Sequence, residues 1–351
     1  MASYKARLRD DLEDWIAEGL VPAASREAIL ARVAEPRRLE ASQALAAVGG
    51  LLLGVAVIAF VAANWNGIPR IPRFGLILTL FLAACAGGAW AGEGRPVARN
   101  IAMLVASLVF AAAIGLTGQI FDLTGDPVAA LRGAGLAAFL LALAGRSSGA
   151  AVAGLVFLAL GDTSWFNGER GPSWLILAAP TALVLAQRWR SKPLAHGAAI
   201  ALPIAVALLL GWLHLAWPYN LQILAGAVAL ALLAAGARRH ADGDEAIAGI
   251  VYGWSVWAAL VFFAAVGFDD RTYPALLHRV PWLAISGAVV ALGLNDRKPA
   301  VTAAGVVSMA AAMAVILNDL GMGLMAAAGV FAAVAVAALV GGFLLGRRTK
   351  A

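Results

Sequence analysis

A chain of 351 residues that is 62% hydrophobic and only 13% charged, with a mean hydropathy of +0.85, lies outside the composition of water-soluble domains and requires a bilayer as its main solvent. The net charge of +6 comes from Lys and Arg spread over many short polar breaks, which argues against a nucleic-acid-binding domain with its single basic patch. The one cysteine, Cys85, sits in an apolar run, so an internal disulfide and any cysteine-based zinc or iron–sulfur centre are excluded; an inert buried thiol is expected.

In chain order, residues 1–42 read as a cytoplasmic amphipathic helical hairpin. Tyr4, Leu8, Leu12, Trp15 and Ile16 recur at helical spacing, Gly19 suits a helix stop, and Pro22 precedes a second run with Ile29, Leu30 and Val33. These stripes are too small for an independent core, so the hairpin is expected to pack on itself, on the membrane surface or on a second subunit. The first apolar run begins near Gln43, after a segment dense in both charge signs, which predicts an uncleaved anchor instead of a signal peptide.

A hydrocarbon core about 30 Å thick needs about 20 helical residues per crossing. The pattern predicts an all-α, polytopic transmembrane helical bundle over residues 43–346, of about twelve spans, followed by a basic tail at 347–351. The expected spans are 43–64, 73–92, 100–118, 127–145, 148–165, 173–187, 194–214, 219–236, 246–267, 281–294, 299–317 and 320–345. The sixth and tenth are short for a full crossing. With the head cytoplasmic, twenty Lys and Arg fall inside and six outside: Arg70, Arg73, Arg132, Arg170, Arg271 and Arg279. That imbalance predicts both termini in the cytoplasm of a bacterial inner membrane.

Tryptophans at 65, 90, 165, 174, 189, 217 and 282 fall near predicted interfaces, where an amphipathic ring is at home. Trp254 and Trp257 lie mid-span; a packed or lipid-facing position outweighs a cavity lining. Gly50 with Gly54, Gly88 with Gly92, and Gly342 with Gly346 have the spacing of close helix packing. Pro180 and Pro203 predict bends in the sixth and seventh spans. No internal repeat is evident in the sequence.

Chemistry-bearing residues gather at the predicted outer rim. Asn64, Trp65, Arg70 and Arg73 follow the first span, and Gln119, Asp122, Thr124 and Asp126 follow the third. Arg132 lies inside the fourth, Asp162 near the end of the fifth, and Asp319 between the last two. Asp126 before Pro127 has the pattern of a helix cap, and Asp319 suits the same role. An unpaired guanidinium inside a span is costly, so Arg132 needs a partner, for which Asp122 or Asp126 is the expectation. The chain has no HExxH, P-loop or GxSxG motif and no metal-ligand spacing, and its four histidines are too far apart in sequence for one site. No cofactor is expected.

Three segments carry a family likeness: Trp15-Ile16-Ala17-Glu18-Gly19-Leu20; Ala62-Ala63-Asn64-Trp65 with Ile68-Pro69-Arg70; and Gly118-Gln119-Ile120-Phe121 leading to Gly125-Asp126. In these the chain resembles the bacterial predicted membrane proteins of domain of unknown function 2157, over roughly its first half. The resemblance implies an integral membrane protein and brings no biochemical activity with it. It singles out Asn64, Trp65, Arg70, Gln119 and Asp126, which with Asp122 and Arg132 form the candidate ligand-binding set.

Three functional readings follow. The leading one is binding or translocation of a small solute or lipid-like molecule through a vestibule open to the periplasm. The second is a membrane-anchored assembly or sensor protein whose head docks a partner helix. The third is a membrane enzyme acting on lipid-linked substrates, which requires converging outer carboxylates.

Overall fold

The computed structural model describes residues 4–32, 67–122, 124–163, 173–213, 216–241, 246–267 and 275–321, with positions 325, 328, 329 and 332 beyond. Among them all regular structure is helical. The chain divides into two compact units, residues 1–69 and 70–351. The predicted spans at 43–64 and 320–345 lie wholly or almost wholly outside the described residues, as do Gly50, Gly54, Gly342 and Gly346.

In the first unit, α1 (Tyr4–Ala17) and α2 (Arg26–Arg32) are joined by a turn and a short 3-10 segment. Gly19 ends α1 as expected: its φ of +74° is open to glycine without steric cost. That conformation lets the Leu20 N–H reach the Trp15 carbonyl at 2.9 Å. Leu12 is fully buried, and the Arg26 guanidinium pairs with Glu13.

The second unit holds ten described helices: α3 (Arg70–Ala91), α4 (Pro96–Ile120), α5 (Pro127–Gly145), α6 (Ser148–Thr163), α7 (Leu175–Trp189), α8 (Lys192–Trp212), α9 (Tyr219–Ala241), α10 (Ala246–Val266), α11 (Ala275–Asn295) and α12 (Pro299–Asp319). They correspond to the second to eleventh predicted spans. Eight are long and apolar enough to cross a bilayer, while α6 and α7 are shorter. The protein is therefore an all-α, multi-pass membrane protein. The tenth span departs from expectation: α11 begins at Ala275 and carries Pro281 inside it, giving 21 residues. A proline one and a half turns into a helix forfeits only one N–H bond, so the helix runs through Pro281.

The helices pack as consecutive hairpins, α3 with α4, α5 with α6, α7 with α8, α9 with α10, and α11 with α12. Links of two to four residues join the two helices of each hairpin, and six to eleven residues join one hairpin to the next. As successive helices alternate in direction, the tight turns share one end of the bundle. Three of them repeat one construction. Arg146, Arg190 and Arg297 sit in the left-handed region at φ +45°, +50° and +52°. The next residue's N–H then bonds back five residues, Ser147 to Ala142, Ser191 to Ala186 and Lys298 to Gly293, each at 2.9 Å. The same residue's carbonyl accepts the first bond of the following helix. One helix is thus closed and the next opened within two residues. The repeat is one of turn geometry, which explains why no repeat of sequence is evident.

Small residues form the interior. Ala150, Ala179, Ala182, Ala186, Ala195 and Ala198 are fully buried, while Leu140, Leu177 and Leu232 are each more than two-thirds exposed. Apolar side chains facing outward and small ones facing inward are the arrangement expected when lipid is the solvent and close backbone approach holds helices together. Gly135 of α5 and Gly154 of α6 show that approach: a Cβ on either lies about 3.1 to 3.2 Å from the other's carbonyl oxygen. Gly88 instead makes room for the Met103 side chain of α4.

Candidate functional site

At the long-loop end, the structure takes the predicted rim residues into separate structural contacts. Asn64 and Trp65 lie outside the described residues. Arg70, at the start of α3, donates from Nη2 to Asp122 Oδ2 at 2.7 Å, both side chains being largely exposed. Asp122 itself has φ +53° just past α4, a conformation that aspartate tolerates better than most residues. Gln119 is exposed on the last turn of α4. Asp126 caps α5 as expected, accepting from the backbone N–H groups of Val128 at 2.9 Å and Ala129 at 3.2 Å.

Arg132 finds a partner, but not one of those expected. Its Nε donates to Asp162 Oδ1 at 2.7 Å, and the Asp162 side chain is fully buried. Asp162 Oδ2 accepts from Ser173 Oγ at 2.7 Å and from the Leu175 N–H at 2.8 Å, so this carboxylate also caps α7. The reason is packing: α5 and α6 are close neighbours, while Asp122 is engaged by Arg70 and Asp126 caps its own helix. The helix that Asp319 is expected to cap lies almost wholly outside the described residues. Asp319 accepts from Arg279 Nε at 3.1 Å, joining the end of α12 to the start of α11. The four aspartates 122, 126, 162 and 319 thus share no partner among the described residues.

The earlier start of α11 also moves Trp282 away from an interface. It is 3% exposed and its Nε1–H donates to Ser308 Oγ at 2.9 Å; Ser308 in turn shares a 2.8 Å bond with Ser286. These buried polar groups are satisfied within one helix pair, as lipid requires.

A space that could hold a ligand lies at the other end. A cavity of about 730 Å³ opens between the starts of α8, α10 and α12 and the end of α9, within the usual range for small-molecule sites. Its lining includes His196, Gly249, Gly253, Trp254, Trp257 and Lys298. Trp257 packs against the Tyr252, Val256 and Leu260 cluster and Trp254 is 38% exposed, as expected of packed or lipid-facing rings, and both also line the cavity. Gly249 and Gly253, one turn apart on α10, help make the hollow; a Cβ on either meets only ordinary contacts, with Lys298 Nζ and Ala300 respectively. Trp254 Nε1–H donates to His196 Nδ1 at 2.9 Å. An indole N–H can only donate, so Nδ1 is the acceptor and, in the neutral ring, Nε2 carries the proton.

One wall is braced from behind. Arg238 of α9 donates twice to Asp296, both bonds at 2.6 Å, and Tyr252 Oη of α10 donates to the same carboxylate at 2.9 Å. Asp296 lies in the turn between α11 and α12, outside the spanning segments. The Arg238 guanidinium holds its carboxyl down to about 2 against the opposing effect of burial, with help from Tyr252 and Asn295. It is a fixed anion that ties three helices together beside Lys298.

No group of three or more His, Cys, Asp or Glu suited to a metal ion occurs among the described residues. Sequence reasoning weighed Trp254 and Trp257 but had no signal for His196 or Lys298, because the contacts that assemble the cavity span about 50 to 100 positions.

Residues 13–151 match the model of a family described as predicted membrane protein, domain of unknown function 2157. The resemblance carried by the three sequence segments therefore holds over the first part of the chain, which includes all seven predicted rim residues. Neither a curated protein nor a solved structure matches the chain. The cavity lies entirely beyond the matched stretch.

Proposed function

We propose that this multi-pass membrane protein binds one small amphipathic or lipid-like molecule in the cavity between α8, α9, α10 and α12. The observation that carries the reading is a hollow of about 730 Å³ with two tryptophans and several apolar residues on its walls. Concave, mainly apolar sites with a few polar groups are where small molecules bind. The rim residues at the opposite end support a vestibule less well, since Arg70, Asp122, Asp126 and Arg132 are already engaged in pairs or caps.

The tight turns carry Arg95, Arg146, Arg190, Arg297 and Lys298, so the positive-inside rule orients this end, and the cavity with it, toward the cytoplasm of a bacterial inner membrane. Cysteine accessibility at position 190 tests that orientation. The binding reading is tested with a C12 fluorescent amphiphile added to the full chain in nanodiscs. Gly249→Leu fills the hollow and is expected to abolish saturable binding while the protein stays folded. Saturable binding unchanged in Gly249→Leu refutes the reading.

A further inference from the structure

The lining of the cavity carries more information than its size. We infer that the molecule it takes is an anionic amphiphile, with a phosphate or carboxylate head against Lys298 and His196 and an apolar chain along Trp254, Trp257 and Ile250. This rests on the cavity being a binding site, and specifies the ligand's chemistry.

Three observations carry it. First, Lys298 is the one charged residue of the lining, and its ammonium has no hydrogen-bond partner among the described residues. The nearest described carboxylate in sequence, Asp296, is occupied by Arg238 and Tyr252 and does not line the cavity. A cation in a half-apolar site recovers lost hydration best from an anion. Second, the bond from Trp254 to His196 Nδ1 leaves Nε2–H as the ring's donor. The lining therefore offers an ammonium and an imidazole N–H, both of them donors, to an incoming head; a cationic head meets only repulsion. Third, the remaining lining is apolar or aromatic, including Ile250, Trp254 and Trp257. Such walls give a bare anion nothing but suit an alkyl chain at about 25 cal/mol per Å² buried. Head and chain are thus both specified.

The stretch joining Ala241 to Ala246 contributes Asp242, Asp244 and Glu245 and no cation. Selection of the head therefore rests on short-range contact with Lys298, and binding should depend only weakly on ionic strength.

The test uses the full-length protein in zwitterionic nanodiscs and four probes: dodecyl phosphate, dodecanoate, dodecanol and inorganic phosphate. The two anionic amphiphiles are expected to bind at least about tenfold more tightly than dodecanol, the worth of one charge-assisted contact. Inorganic phosphate alone is expected neither to bind nor to compete. Lys298→Gln should erase the preference for the anions and leave dodecanol binding unchanged, and Lys298→Arg should retain the preference. Equal affinity for dodecanol and the anions, or a preference that survives Lys298→Gln, overturns the anionic head while leaving a cavity that binds amphiphiles. Inorganic phosphate binding as tightly as dodecyl phosphate overturns the chain. Binding of every probe unaltered by Gly249→Leu overturns the cavity reading itself.

Discussion

The two ends of the bundle satisfy their helix termini by different means. At one end, links of two to four residues close each hairpin, and three of them share a backbone geometry, an arginine in the left-handed region followed by a residue that serves both helices, to which the Ser147 and Ser191 hydroxyls add side-chain caps. At the other end, links of six to eleven residues rely on side chains, with Asp126 capping α5 and Asp162 capping α7 while pairing with Arg132. At the short-link end Lys298 lines a cavity, with His196 held beside it by Trp254. At the long-loop end the described Arg70, Asp122, Asp126, Arg132, Asp162, Arg279 and Asp319 are engaged in caps and pairs.

That contrast can be broken by substitution. The largest effect is expected for Asp162→Ala, which strands the Arg132 guanidinium and removes the acceptor for Ser173 and Leu175. Breaking a buried pair on one side costs about 3–5 kcal/mol, to be read as a lower thermal unfolding midpoint in detergent. Loss of less than about 1 kcal/mol would show that the long-loop end does not depend on side-chain pairing.

Asp296→Asn comes next, at about 1–3 kcal/mol, since two charge-assisted bonds and the Tyr252 bond weaken together. The pH dependence has a definite sign. Because the folded-state value is depressed to about 2, the stabilisation is fully present above the ordinary carboxylate range near 4 and is lost as pH falls toward 2. The difference in unfolding midpoint between wild type and Asp296→Asn should therefore shrink between about pH 4 and pH 2. A difference constant over that interval would contradict the pairing.

Arg190→Gly should act in the opposite direction. Relieving a left-handed arginine is worth up to about 1 kcal/mol of added stability, measurable by the same melts; destabilisation would mean that the side chain is holding the turn. The smallest effect is expected for Asp122→Ala, whose exposed pair with Arg70 is worth about 0–1 kcal/mol. A double-mutant cycle with Arg70→Ala that finds a coupling above about 1 kcal/mol would raise this pair from surface decoration to a structural clamp.

Hydropathy is a local property, so the positions of ten helices were legible from short windows of the chain. Asp126 was legible as a cap for the same reason: an aspartate before a proline determines its own neighbourhood. The tenth span, expected from 281, begins at Ala275, and Trp282 is therefore buried two turns inside α11 instead of lying at an interface. The partner of Arg132 was misassigned because nearness in sequence pointed to Asp122 and Asp126, whereas packing of α6 brought Asp162 from thirty residues away.

By itself, then, the sequence determined the solvent, the helices and the uneven distribution of charge between the loops, because each follows from the free energy of transferring a short segment or a single charge into hydrocarbon. Only the tertiary structure decided which charges neutralise one another and where empty space remains. His196 with Trp254 and Arg238 with Asp296 are each 58 residues apart, and a cavity is defined by the gaps among four helices instead of by any one of them.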